Sequence, residues 1–114
     1  MSTQPSKELI PLDNPNPNRR YRVEISTDEF TCVCPVTGQP DFATIRIHYE
    51  PAASIVELKS VKLYLWSFRN DGHYHEAVVN RILDDLVAAL APHWMCVEGD
   101  FNIRGGVKTV VRAE

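Results

Sequence analysis

The chain has only three cysteines, Cys32, Cys34 and Cys96, in 114 residues. That is too few for the disulfide framework of a small secreted domain. Long apolar runs are absent as well: none approaches the ~20 residues of a membrane span, and the first residues lack the charged-then-apolar pattern of a secretion signal. Positive charge is not in excess. With 12 Lys and Arg against 15 Asp and Glu, the net charge is −3, so the basic field required for general nucleic-acid or anionic-membrane binding is missing. Glycine is scarce, and no Gly-x-Gly-x-x-Gly loop is present to cradle a dinucleotide. There are no repeats and no low-complexity segments. These absences make a cytoplasmic protein without direct nucleic-acid or membrane partners the expectation.

The length and a hydrophobic share of 44% fit one globular domain with a moderate core. Residues 1–18 read as a flexible arm, because Pro5, Pro11, Pro15 and Pro17 interrupt helices and strands, while Asn14 and Asn16 favour turns. The domain proper is expected over 19–114. Tyr21, Val23 and Ile25 alternate with polar residues, and so do Ala43, Ile45, Ile47 and Tyr49 within 42–49. Both runs have the period of two of half-buried strands. Ser60 is the expected N-cap of a helix over 61–70, closed by Asp71-Gly72. A second helix is expected over 75–90, where Val79, Ile82, Leu83, Leu86, Val87 and Leu90 recur at helical spacing before Pro92. Two further strands, 95–103 and 107–112, flank the turn Arg104-Gly105-Gly106.

The order β-β-α-α-β-β predicts an α+β domain, an antiparallel four-stranded sheet with both helices on one face. Val23, Ile25, Ile45, Ile47, Val97 and Phe101 would lie beneath the helices. Arg46, His48, Glu98, Asp100, Lys108 and Arg112 would occupy the other face. A small sheet with open edges and one charged face favours pairing of edges between subunits.

The densest chemistry lies between the first two strands, in Cys34-Pro35-Val36-Thr37-Gly38-Gln39-Pro40-Asp41-Phe42. A thiol and a carboxylate on a turn-rich loop point to covalent catalysis coupled to proton transfer. Cys32, Cys34, His73 and His75 offer a rival zinc site, but the Cys-x-Cys gap is tighter than zinc pairs usually show. Cys96 lies in a strand and reads as core. Glu57 and Glu76 are carboxylates able to accept from both donors of a guanine-like edge. His75 and Glu76 equally suit the ordinary roles of a surface histidine and a helix-dipole carboxylate. Lys59, Lys62, Arg69 and Arg104 are cations available to phosphates.

Taken together, Cys34-Pro35-x-Thr37-Gly38-Gln39-Pro40-Asp41-Phe42, Glu57-Leu58-Lys59-Ser60-x-Lys62-x-Tyr64, Ser67-Phe68-Arg69-Asn70, His75-Glu76 and Arg104-Gly105-Gly106 occur in one order over roughly 20–107. In this the chain resembles the NADPH-dependent 7-cyano-7-deazaguanine reductases, the nitrile reductases of queuosine biosynthesis, in their short single-module form. The resemblance implies the tunnelling fold, with subunits joining edges into a barrel as a homo-oligomer whose active sites form between neighbours. It implies NADPH as cofactor and a small 7-deazapurine as substrate. Cys34 would form a covalent thioimide and Asp41 would donate a proton. Val56, Glu57, Leu58, His75 and Glu76 would hold the base, and Leu58, Lys59, Lys62, Arg104 and Gly105 the cofactor. Leu58 stands where the family often has Ser. An amidine-forming relative acting on nitrile-bearing tRNA shares the thiol loop. A non-catalytic purine- or pterin-binding module and a zinc-dependent hydrolase are the other uses of such a fold.

Overall fold

The computed structural model describes residues 4–114. Eight elements follow in the order β1 (Pro11–Asp13), β2 (Val23–Val33), β3 (Pro40–Glu50), β4 (Ser54–Val56), α1 (Leu58–Trp66), α2 (His75–Leu90), β5 (Trp94–Arg104) and β6 (Val107–Ala113). The main sheet is antiparallel with order β2-β3-β5-β6, which leaves β2 and β6 as open edges. Its strands alternate as the period of two requires: Ala43, Ile45, Ile47 and Tyr49 of β3 and Met95, Val97 and Phe101 of β5 are buried. Val23 and Ile25 of β2 are partly buried against this core.

α2 covers β5 and packs Val78, Val79, Ile82, Leu83, Leu86 and Leu90 into the core. Gly99 on β5 permits the close approach. A Cβ there would stand 2.5 Å from Val79 Cγ2 and 2.9 Å from Phe101 Cε1, well inside van der Waals contact. The helix stops at Ala91, whose φ of 43° is left-handed and whose N–H donates to Val87 O. The far face of the sheet is charged: Arg46 donates to Glu98 at 2.6 Å, Arg112 pairs with the same carboxylate, and Lys108 pairs with Asp100. Cys96 shares the parity of Glu98, so it lies on this charged face, half-buried, and is not a core residue.

Three further features differ from the sequence expectation. First, α1 begins at Leu58 with Glu57 at its N-cap and ends at Trp66. Ser60 lies inside the first turn, where its hydroxyl donates to Glu57 O at 2.7 Å and accepts from Ile10 N at 3.1 Å. Second, the segment expected as a flexible arm is docked through residues 6–14. β1 pairs with β4, Ser6 N donates to Leu63 O, and Asn14, only 6% exposed, accepts from Tyr21 Oη at 2.5 Å. The prolines exclude regular structure from most of this stretch but leave enough N–H groups to strap it across α1. Third, the β2–β3 register shifts between Thr27 and Phe30. One extra residue reverses the parity of the strand, so Phe30 and Cys32 turn into the core.

Candidate active site

β2 ends at Val33, and its last peptide is tied to the chain before α2. Val33 N donates to Asp71 O at 3.0 Å and His73 N donates to Val33 O at 3.1 Å. This bridge brings the first turn of α2 beside the thiol loop. The loop itself is closed: Cys34 N donates to Gln39 O, and Gly38 N donates to Cys34 O, each at 2.8 Å. Gly38 takes a φ of +72°, which lets the turn reverse without a Cβ clash. Cys34 is held at the mouth of this turn, partly exposed.

The Cys34 thiol is pulled down from 9.0 to about 7. The Thr37 hydroxyl contributes most, followed by the amides of Thr37 and Val36. Burial opposes them, and the Arg104 charge adds a smaller lowering effect. Its neighbour Cys32 behaves oppositely. Burial, then the negative charge of Asp41, pushes that thiol up to about 11. Two cysteines two residues apart are thus separated into a reactive one and an inert one by the end of the strand.

Asp41 opens the core-facing row of β3 and is only 6% exposed. Its Oδ1 accepts from Arg104 Nη1 at 2.5 Å, and its Oδ2 lies 3.3 Å from His75 Nε2. The His75 ring stacks on Phe101, with centroids 3.8 Å apart and planes within 3°. Arg104 reaches this site because the β5–β6 register is irregular between Phe101 and Arg104. The irregularity brings Arg104 to the face shared by Phe101 and Asp41. Its Nη2 donates to Gln39 Oε1 at 2.7 Å and to Thr37 Oγ1 at 3.1 Å. Arg104, expected as a cofactor contact, binds Asp41 and the thiol loop in this chain.

The other expected residues lie elsewhere on the chain. Leu58, Lys59, Lys62 and Arg69 line a cleft of about 1390 Å³ between α1 and the open edge of β2, with Phe42 and Trp66 among its apolar walls. Cys34, Asp41, His75, Glu76 and Arg104 do not line it. Val56 is buried, and its N–H donates to Tyr49 Oη at 3.1 Å. Glu57 is half-buried at the β4–α1 junction, and Glu76 is exposed on the first turn of α2. Gly105, with a φ of +60°, occupies the β5–β6 turn with open space around it. Among the described residues no three His, Cys, Asp or Glu side chains gather as a metal site, so the set Cys32, Cys34, His73 and His75 does not assemble. Sequence reasoning overlooked Phe101, Thr37 and Gln39 as parts of this site. The polar pair stood within the thiol-loop motif, but only the fold reveals their common partner, Arg104.

Residues 40–114 match the family model described as QueF-like protein. The chain belongs to the QueF-like family. It is 68% identical over 113 residues to the NADPH-dependent 7-cyano-7-deazaguanine reductase of Thermomicrobium roseum, covering 99% of this chain and 88% of that one. Its identity to the enzyme of the same name from Anaeromyxobacter sp. strain K is 65%, with 99% and 93% covered. Among solved structures, the archaeosine synthase QueF-Like in its apo form superposes with a TM-score of 0.72 at 22% identity, covering 82% of this chain and 90% of that one. At that identity the likeness bears on the fold, which is the α+β tunnelling architecture of the QueF-like family.

Proposed function

We propose that this protein reduces the nitrile of 7-cyano-7-deazaguanine to the aminomethyl group with NADPH, a step of queuosine biosynthesis. The observation that carries the reading is an acidified thiol, Cys34, on a turn braced by the same guanidinium that pairs with a buried carboxylate, Asp41, which also faces His75. The extensive identity to reductases of that name supports it.

The Cys34 thiolate adds to the electrophilic nitrile carbon, forming a C–S bond as one C–N π bond opens onto nitrogen. The Asp41–His75 pair supplies the proton that nitrogen takes up, giving a neutral thioimide on Cys34. NADPH, when bound, supplies the hydride, once to the thioimide and once to the imine formed after sulfur leaves. Release of the Cys34 sulfur restores the thiolate between the two reductions, so each nitrile consumes two hydrides and two protons. Asp41 is only 6% exposed, and the His75 ring beside it is fixed by stacking on Phe101.

The cleft between α1 and β2 is large enough for an extended ligand and carries Lys59, Lys62 and Arg69 where phosphates need cations. These residues fit a phosphorylated dinucleotide, and Leu58 would flank it. Val56, Glu57, His75 and Glu76 are read as holding the deazapurine. Because β2 and β6 both leave open edges, we infer a homo-oligomer in which neighbouring subunits complete each site.

The test follows NADPH oxidation on addition of 7-cyano-7-deazaguanine. Two NADPH consumed per nitrile, and none with Cys34→Ala, is the expected result. A covalent nitrile adduct on Cys34 without NADPH oxidation would overturn the reductase reading in favour of amidine-type chemistry.

A further inference from the structure

We propose that Lys7, on the docked N-terminal strap, is a positioning residue for the reaction: it fixes the α1–α2 connection, residues 67–74, on which the Cys34 loop and His75 are mounted. This rests on the reading of Cys34 as the nucleophile and adds what holds its loop in place. α1 ends at Trp66 with Ser67 as its C-cap, and its last turn carries no basic residue. The final carbonyls of a helix lack intrahelical partners and favour a cation beside them. Here the strap supplies that cation. Lys7 Nζ donates to Ser67 O at 3.3 Å and to Asp71 Oδ2 at 3.1 Å, and it lies 4.1 Å from the centroid of the buried Phe68 ring. An exposed ion pair contributes little by itself, so the seat on Phe68 and the Ser67 carbonyl matter as much as Asp71. The strap is held in register along α1: Ser6 N donates to Leu63 O, Ile10 N donates to Ser60 Oγ, and Ile10 O accepts from Glu57 N.

The connection that Lys7 grips carries both functional groups. Asp71 O accepts from Val33 N at 3.0 Å, and Val33 O accepts from His73 N at 3.1 Å. Gly72 packs against the loop itself, since a Cβ on it would lie 3.4 Å from Pro35 Cα. The two chain neighbours of Cys34, Val33 and Pro35, thus both rest on residues 71–73. His73 closes the unit from the other side, with Nε2 4.0 Å from Asp71 Oδ2 and its ring edge-on to Phe68 at 5.6 Å. Two residues further along stands His75, its Nε2 3.3 Å from Asp41 Oδ2. Lys7 therefore acts on the nucleophile and on His75 through backbone they share.

The test compares Lys7→Met and Lys7→Arg in the full chain. Methionine keeps an apolar stem over Phe68 but removes the charge and both donated hydrogen bonds, whereas arginine can remake them. In Lys7→Met the Val33 and His73 amides should exchange with solvent roughly tenfold faster, while those of Ile82 and Leu86 in α2 keep their rates. The rate of Cys34 adduct formation with 7-cyano-7-deazaguanine, read by rapid mixing and mass spectrometry, should fall about tenfold with the KM for NADPH unchanged. Lys7→Arg should restore both readouts. Unchanged exchange at Val33 and His73 overturns the proposal, and so does an unchanged adduct rate. An equal acceleration of the α2 amides also overturns it, because Lys7 would then contribute only to overall stability. Absence of any adduct in the wild-type protein removes the nucleophile reading, while exchange at Val33 and His73 still decides whether Lys7 fixes the loop.

Discussion

The thiol end of the sheet and the cleft beside α1 are built on opposite principles. At the thiol end almost every polar group already has a protein partner: Arg104 alone joins Asp41, Thr37 and Gln39, and His75 is clamped on Phe101. In the cleft, neither Lys59 nor Lys62 has a side-chain partner among the described residues, and the surrounding walls are largely apolar. Groups that do chemistry gain from being fixed before the substrate arrives, since no reorganisation is then needed in the transition state. Groups that neutralise a mobile polyanion gain from being left free until it binds. The contrast separates the residues that should control turnover from those that should control affinity.

The largest expected effect tests the fixed end. Asp41→Asn keeps the size of the side chain but removes its acid function, so reduction should fall on the order of 10²- to 10⁴-fold with little change in the KM for NADPH. Steady-state kinetics on the nitrile substrate check this, and an equal rise in KM alone would erase the distinction between the two regions. Next comes pH. With Cys34 brought down to about 7, the thiolate predominates above that pH and is lost below it. Rapid-mixing measurement of the adduct should therefore show a rate that falls about tenfold per pH unit below 7 and levels off above it. Cys32, pushed up to about 11, should stay unalkylated in the folded protein over the same range.

A smaller effect belongs to the cleft. Lys59→Ala and Lys62→Ala should each raise the KM for NADPH roughly five- to tenfold and leave kcat nearly unchanged, with the loss shrinking as salt screens the phosphates. A fall in kcat of the same size would mean that the cleft takes part in the chemistry. The smallest effect on the reaction is expected for Gly99→Ala. The added methyl meets Val79 and Phe101, so stability should drop by about 1–3 kcal/mol in urea unfolding while the surviving folded enzyme keeps most of its activity.

Much of the molecule was legible because its signals are local. Alternation along 42–49 identified the buried row of β3, and extending that parity by one step places Asp41 at its buried end. Helical spacing identified α2 from His75 to Leu90. The motifs around Cys34 and His75 identified the family. Ser60 misled because a hydroxyl near a helix start looks like a cap in sequence, whereas here it accepts from the strap at Ile10. The bulge in β2 was not legible either. Nothing in Thr27-Asp28-Glu29-Phe30 marks which residue will be left unpaired, since that depends on how β3 lies against it.

The α+β order, the parity of most strands, the acidic overall charge and the thiol, carboxylate and cation candidates could be read along the chain. These follow from spacing and side-chain chemistry, which neighbouring residues carry on their own. How those residues are grouped follows only from the folded arrangement. It joined Arg104 to Asp41 across a separation of 63 positions. It split Cys32 from Cys34 in reactivity, and it placed Lys59 and Lys62 in a cleft that the thiol does not line. Contacts between residues so far apart depend on register, bulges and loop closure, quantities that exist only once the strands have paired.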